Sequence, residues 1–297
     1  MAAALASRPI LKSAMATIDA LTWSALSARD IDAAVGLNAE AGWNQNAADW
    51  QFMLEQGEGM AVRRDDLVAT SMLLPRGGRF AWIAMILVTA RWRRRGLASE
   101  LMRRCLERAA ALKLIAGLDA TDAGRQIYLP LGFRDIYPLT RWRADAVAVK
   151  EGREAGVRPM GQDDLERIAA WDAGLSGAPR KALLAHLHGR RPERAFIFES
   201  GGAVNGFVLA RDGRQATQIG PLIAEDDEIA AALLRASLGA GAGPVLLDAA
   251  NHHGRLAPFL RQAGFREQRG YMRMLLGRAE PLDDPNRVFL IAGAELG

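Results

Sequence analysis

Cysteine is nearly absent from this chain. Cys105 stands alone among 297 residues, so no intrachain disulfide can form and a disulfide-stapled scaffold is excluded. Long apolar runs are missing as well: none approaches the ~20 residues that carry a helix across a bilayer. The Ala-rich segment Met1 to Met15 lacks the continuous apolar core of a secretory signal; it is expected to be a loose tail, with Met15 a candidate start. Lysine is limited to Lys12, Lys113, Lys150 and Lys181, and arginine supplies the remaining basic charge. Aromatic residues make up 6%, and few lie among the arginines, which argues against a base-stacking nucleic-acid surface. The common phosphate loops, Gly-x-x-x-x-Gly-Lys-Ser/Thr and Gly-x-Gly-x-x-Gly, do not occur. His252-His253 has no third ligand at metal spacing, so no metal site is expected. What remains is 50% hydrophobic, 24% charged and +4 in net charge. That is ordinary for a globular chain long enough for two domains, placed in a reducing cytoplasm, with a mild preference for anionic ligands.

One stretch carries more information than the rest. The apolar run Ala81 to Val88 reads as a central strand, and Leu97 to Lys113 as an amphipathic helix. Between them lies Arg93-Arg94-Arg95-Gly96-Leu97-Ala98. A strand, a basic loop with glycine and a helix start form a phosphate grip, because the first-turn amides are unpaired and the helix dipole adds positive charge there. Gly96 and Ala98 let a ligand approach the backbone closely. The alternative is a solvated basic helix start. Downstream come a short strand, Ile115 to Asp119, a short helix, Ala123 to Leu129, that carries Tyr128, and then Gly132-Phe133.

The Arg-x-x-Gly-x-Ala loop, followed in order by Tyr128 and Gly132-Phe133, resembles the GNAT superfamily of N-acyltransferases over roughly residues 28–142. The resemblance implies a mixed α/β sheet flanked by helices and acetyl-CoA as cosubstrate, without metal. It implies that backbone amides of Arg94 to Ala98 hold the pyrophosphate, with the side chains of Arg93, Arg94 and Arg95 as candidate phosphate contacts. Leu87 and Val88 would pair with the pantetheine amides. Tyr128 would hydrogen-bond the departing thiolate, as a phenol with its usual pKa of about 10 can; the alternative is a core tyrosine. Many family members carry an acid on the central strand to deprotonate the amine, but Ala81 to Val88 has none. Glu40, Asp49, Asp119 and Asp122 are candidates elsewhere, Asp122 being better suited to capping the short helix. The acceptor wall would involve Trp43, Asn44, Asn46 and Trp82, and His252 and His253 could approach from the second half. Trp50, Trp142 and Cys105 read as core.

The second half repeats the first. Strand patterns at Ala195 to Glu199, Phe207 to Ala210 and Ala216 to Ile223 precede a helix, Glu228 to Leu238, a strand, Val245 to Asp248, and Gly264-Phe265. Ile223 falls where Val88 does. The expected organisation is a tail over 1–15, an acetyl-CoA-binding domain over 16–147, a linker near 145–158 and a degenerate GNAT-like domain over 157–297. In that copy Ala224-Glu225-Asp226-Asp227 replaces the basic loop, and its carboxylates would repel a pyrophosphate. Leu260 replaces Tyr128. The resulting expectation is a cytoplasmic acetyl-CoA-dependent N-acetyltransferase acting by direct attack in a ternary complex on a small-molecule or peptide amine, without nucleic-acid or membrane partners. A non-catalytic acyl-CoA sensor is the alternative.

Overall fold

The computed structural model describes residues 21–149, 152 and 154–297; the tail expected over 1–15 lies outside them. The chain runs twice through one order of elements. The first pass is β1 (Thr22–Ala25), α1 (Ile31–Ala41), α2 (Ala47–Gln56), β2 (Glu58–Arg63), β3 (Leu67–Arg76), β4 (Phe80–Val88), α3 (Leu97–Ala111), β5 (Ile115–Ala120), α4 (Asp122–Tyr128) and β6 (Phe133–Ala144). The second is β7 (Val157–Pro159), α5 (Leu165–Asp172), α6 (Lys181–Arg190), β8 (Phe196–Ser200), β9 (Ala203–Arg211), β10 (Thr217–Ala224), α7 (Asp227–Gly239), β11 (Val245–Ala250), α8 (Leu256–Gln262) and β12 (Arg266–Leu276). A last strand, β13 (Val288–Leu290), has no counterpart among the described residues. Gly132 and Gly264 share the same left-handed backbone, φ +96° and +92°, so the repeat extends to turn geometry.

Two compact units result: residues up to Leu74 with Ile83–Leu112, and Pro75–Trp82 with Lys113–Gly297. In the first, β1, β2 and β3 form an antiparallel ladder. Asn46 caps α2 by accepting from the amides of Ala48 and Asp49, while Asp49 accepts from the amide of Asn46, a reciprocal capping box. Trp50 and Met53 are fully buried on the inner face of α2. Helix α3 buries Leu97, Leu101, Met102, Cys105 and Ala109 at the spacing of one helical stripe. Its outer face is laced by Glu100, Arg103, Arg104 and Glu107, pairs that each add a few tenths of a kcal/mol. The Cys105 thiol lies 3.5 Å from Ser71 Oγ, and burial pushes its pKa up; it is core.

In the second unit the strands run β4–β5–β12–β6–β11–β13–β10–β9–β8–β7. Parallel pairs, β4 with β5 and β10 with β11, are mixed with antiparallel ones. The two passes exchange their last strands. β12, from the second pass, pairs with β5 (Met272 opposite Ala120) and β6 (Tyr271 opposite Leu139). β6, from the first pass, pairs with β11 (Leu247 opposite Trp142). Trp142 accordingly sits in a core built largely from β10, β11, α7 and α8.

Strands β10 and β11 pair over Thr217–Ile219 and Val245–Leu247 and then part. β13 fills the gap, Leu290 facing both Leu222 and Ala249. The amide of Ile291 donates to the Asp248 carbonyl at 3.1 Å, and that of Ala224 to the Arg287 carbonyl at 3.0 Å. The wedge is tight at Gly220, whose φ is +143° and where a Cβ would lie 2.1 Å from the Ile291 oxygen. His252 and His253 secure the segment. Their Nε2 atoms lie 2.6 Å from the Pro285 oxygen and 3.0 Å from the Val288 oxygen, and the His253 ring stacks on Phe289 at 3.7 Å. These histidines anchor β13; their contacts belong to packing.

Two outcomes follow. Gly220→Ala is expected to cost more than about 2 kcal/mol, from the forbidden φ and the carbonyl clash together, read as a lowered urea midpoint. Burial, followed by the charge of His252, holds His253 below its ordinary 6.5. The unfolded chain therefore takes up this proton first as pH falls. The stabilisation is complete above pH 6.5 and is lost on acidification. The Tm advantage of wild type over His253→Phe should accordingly narrow below that pH.

Candidate active site

In the first unit the loop after β4 is a built turn. Val88 ends the strand, Ala90–Trp92 forms a single 3-10 turn, Arg93 is extended and Arg94 turns left-handed, φ +61°. Gly96 takes the position before α3 with φ +86° and offers no side chain to cap the helix. The amides of the first turn are thereby left facing outward. Leu97 is buried and anchors the helix start, while Arg93, Arg94, Arg95, Gly96 and Ala98 are exposed.

The three arginines differ. Arg93 turns back, Nε donating to the Val88 carbonyl at 3.0 Å with its guanidinium 3.6 Å from Glu40. Arg95 lies over the Trp92 ring, 4.8 Å from its centroid. Arg94 projects from the left-handed corner. Upstream, Glu40 accepts from the Thr89 hydroxyl at 2.8 Å and from the Ala90 amide. The hydrogen bond from Thr89, then that from Ala90, holds its carboxyl below the usual range. Glu40 is a clamp on the loop and a poor proton acceptor. Asp49 closes the capping box of α2.

Strand β4 has a kink that the sequence did not announce. Met85, without a glycine's freedom, has φ +52°, and its carbonyl accepts from Thr70 Oγ1 at 3.0 Å. Counting from the matched ends Val88 and Ile223, Met85 corresponds to Gly220, so both passes break the same strand at the same place. Leu87 is buried and Val88 half-buried beyond the kink.

In the second unit, Tyr128 closes α4 and is half-buried, its ring 5.9 Å from that of Phe133. Thr121 caps α4, its hydroxyl accepting from the Gly124 amide at 3.3 Å. The cap expected of Asp122 is therefore supplied one residue earlier, because the extended backbone needed at that position falls at Thr121. The Asp119 side chain is wholly buried and both its oxygens accept from Arg273 at 3.0 Å; burial pushes its carboxyl above the usual range, but the ion pair engages both oxygens. Trp82 is buried, its indole donating to the Ala294 carbonyl at 2.9 Å. Asn44 is buried in the first unit, and Trp43 and Asn46 are half-buried there.

The corresponding loop of the second pass is chemically inverted. Asp226 Oδ1 accepts from the Ile229 amide at 2.8 Å, so its own carboxylate occupies the helix N-terminus that Gly96 leaves open in α3. Leu260, in the place of Tyr128, is fully buried. Among the described residues no cluster of His, Cys, Asp and Glu could hold a metal ion, and no helix is long and apolar enough to cross a membrane.

The site is thus a mixed sheet carrying an open helix N-terminus after a kinked strand. Family profiles match both passes: the "Acetyltransferase (GNAT) family" over residues 24–133 and the "Acetyltransferase (GNAT) domain" over 168–290. The chain belongs to the GNAT acetyltransferases, in tandem form, and is an acyltransferase. It is 25% identical over 249 residues to the Holothin acyltransferase of Pseudoalteromonas sp. (strain SANK 73390), covering 82% of each chain. It is 21% identical over 263 residues to the uncharacterized N-acetyltransferase YitH of Bacillus subtilis (strain 168), covering 87% of this chain and 92% of that one. Among solved structures it shares its fold with a Pyrococcus horikoshii protein assigned as an acetyltransferase, at TM-score 0.75, 20% identity and 94% and 96% coverage of the two chains. It likewise matches a tandem GNAT protein from the clavulanic acid biosynthesis pathway, at TM-score 0.59, 16% identity and 86% and 98% coverage.

Asp119→Asn tests the structural assignment of that acid. The substitution sets an amide N–H against an Arg273 N–H in a buried network, while Asp283 still pairs the guanidinium, and should cost about 2 kcal/mol, seen in chemical unfolding.

Proposed function

We propose that this acyltransferase takes acetyl-CoA as donor and transfers the acetyl group to a small-molecule or peptide amine by direct attack in a ternary complex. The observation that carries the reading is the contrast at the two helix starts. Gly96 leaves the α3 amides open beside exposed arginines, whereas Asp226 fills the equivalent place on α7. An anion is stabilised at the first and repelled at the second.

In this reading the amides of Arg94 to Ala98 hold the pyrophosphate. Arg94 is the side chain best free to join them, since Arg93 and Arg95 are engaged locally. Main-chain groups of Leu87 and Val88 pair with pantetheine, the Val88 carbonyl being already taken by Arg93. Acetyl-CoA supplies an activated thioester when bound. Amine nitrogen attacks the carbonyl carbon, the C–S bond breaks, Tyr128 donates its phenolic proton to the departing thiolate, and the proton shed by the acylated nitrogen returns through water to the phenolate. β4 has no acid, and Glu40 and Asp119 are committed elsewhere. The amine therefore enters neutral or loses its proton through water. The second pass serves the fold and does not bind a second acyl-CoA. A cytoplasmic location accords with the single cysteine.

Calorimetric titration of acetyl-CoA into the whole chain tests this. One-to-one binding is expected, lost in Gly96→Glu. Tyr128→Phe should lower turnover by about a hundredfold while leaving acetyl-CoA affinity unchanged. Binding without turnover of any amine, in wild type and Tyr128→Phe alike, would favour a sensor.

A further inference from the structure

The second unit contains a small pocket. Its apolar wall is formed by Phe80, Trp82, Leu275 and Leu282, and its charged groups are Arg76, Arg180, Arg273 and Asp283. Two of these are unsatisfied by the protein.

Arg76, at the end of β3, is 7% exposed. Its guanidinium makes one long hydrogen bond, 3.5 Å, to the Leu296 carbonyl. Among the described residues no carboxylate lies within ion-pair distance of it. The charge bearing on it is that of Arg180, itself committed to Asp172 by hydrogen bonds of 2.7 and 2.8 Å. Burial first, then Arg180, push Arg76 down to about 10. A buried guanidinium without a counterion is costly, and its planar fork matches a carboxylate.

The second group has the opposite sign. Asp283 Oδ2 accepts from Arg273 at 2.8 Å and from the Tyr137 hydroxyl at 2.5 Å, but Oδ1 is buried with no hydrogen-bond partner. Arg273 is shared with Asp119. One guanidinium thus faces two carboxylates, leaving this part of the lining with a surplus negative charge and a buried, unpaired acceptor. The pocket has a positive pole at Arg76, a negative pole at Asp283 and an apolar wall.

We infer that this pocket binds a small amino carboxylate, its carboxylate on Arg76, its amino group drawn to the Asp283 carboxylate and its carbon skeleton on the apolar wall. Taken with the acyl transfer proposed above, on which this last step rests, the bound molecule is the acceptor. Arg76 and Asp283 then determine specificity.

Binding is measured without acetyl-CoA, so that failure of the donor reading leaves this result intact. γ-Aminobutyrate, ε-aminocaproate, L-leucine and L-phenylalanine are titrated into the whole chain, with the amine-free caproate and 3-phenylpropionate as comparisons. At least one amino carboxylate should bind saturably and more tightly than its amine-free analogue. Arg76→Met should weaken it by at least about tenfold without lowering the ligand-free Tm, since an unpaired buried charge is removed; Arg76→Lys should retain part of the affinity. Asp283→Asn should remove the preference for the amine. The proposal is overturned if the whole panel fails to bind wild type, or if Arg76→Met binds as wild type does. It is also overturned if Arg76→Met loses stability together with binding and Arg76→Lys restores neither.

Discussion

An apolar sheet interior does not tolerate backbone amides without partners, and this molecule is organised around the place where parallel strands part. Beyond Ile219 and Leu247 the β10 and β11 ladders separate, and the chain supplies its own third strand, β13, to satisfy the exposed edges. Gly220 is required because the Ile291 carbonyl approaches where a side chain would begin. The first pass has the same strand break at Met85. The proposed cosubstrate would use main-chain groups just beyond that kink, as β13 uses those beyond Gly220. One backbone device thus receives a peptide in one pass and, in the proposed reading, a pantetheine arm in the other.

The contrast continues at the helix starts. An aspartate that caps its own helix and a glycine that leaves the helix open are both good solutions to unpaired first-turn amides. They differ in who supplies the acceptor. With Asp226 the protein does, and the helix start is closed. With Gly96 it must come from outside, from solvent or from an anion.

Much of this was legible in the sequence. The Arg-x-x-Gly-x-Ala spacing located the loop, because glycine before a helix and arginines around it have local causes. The duplication was visible in turn glycines and strand patterns, and Trp50, Trp142 and Cys105 were read as core and are buried. What escaped were features whose cause is remote. Nothing local distinguishes Met85 from its neighbours in an apolar run. Strands β1, β7 and β13 are three or four residues long, too short for alternation to show. Helices α5 and α6 were not read, although Leu183, Leu184 and Leu187 bury one side of α6. Arg76 and Asp283 are separated by two hundred residues of chain and are brought to one pocket by the fold. Their signal, an arginine closing a largely apolar strand and an acid in a Pro/Asp turn, is common. Asp119 and His253 looked chemical because of residue type, and packing gave them other work.

The exchange of final strands has an evolutionary consequence. β5 has β12 as its neighbour, and β11 has β6. A deletion of the second gene copy would leave the first with an open sheet edge and an exposed apolar face, a hazard for aggregation. Selection can therefore relax on the acidic loop at Glu225–Asp227 while continuing to act on the strands around it. Neither half can be removed without unmaking the sheet of the other.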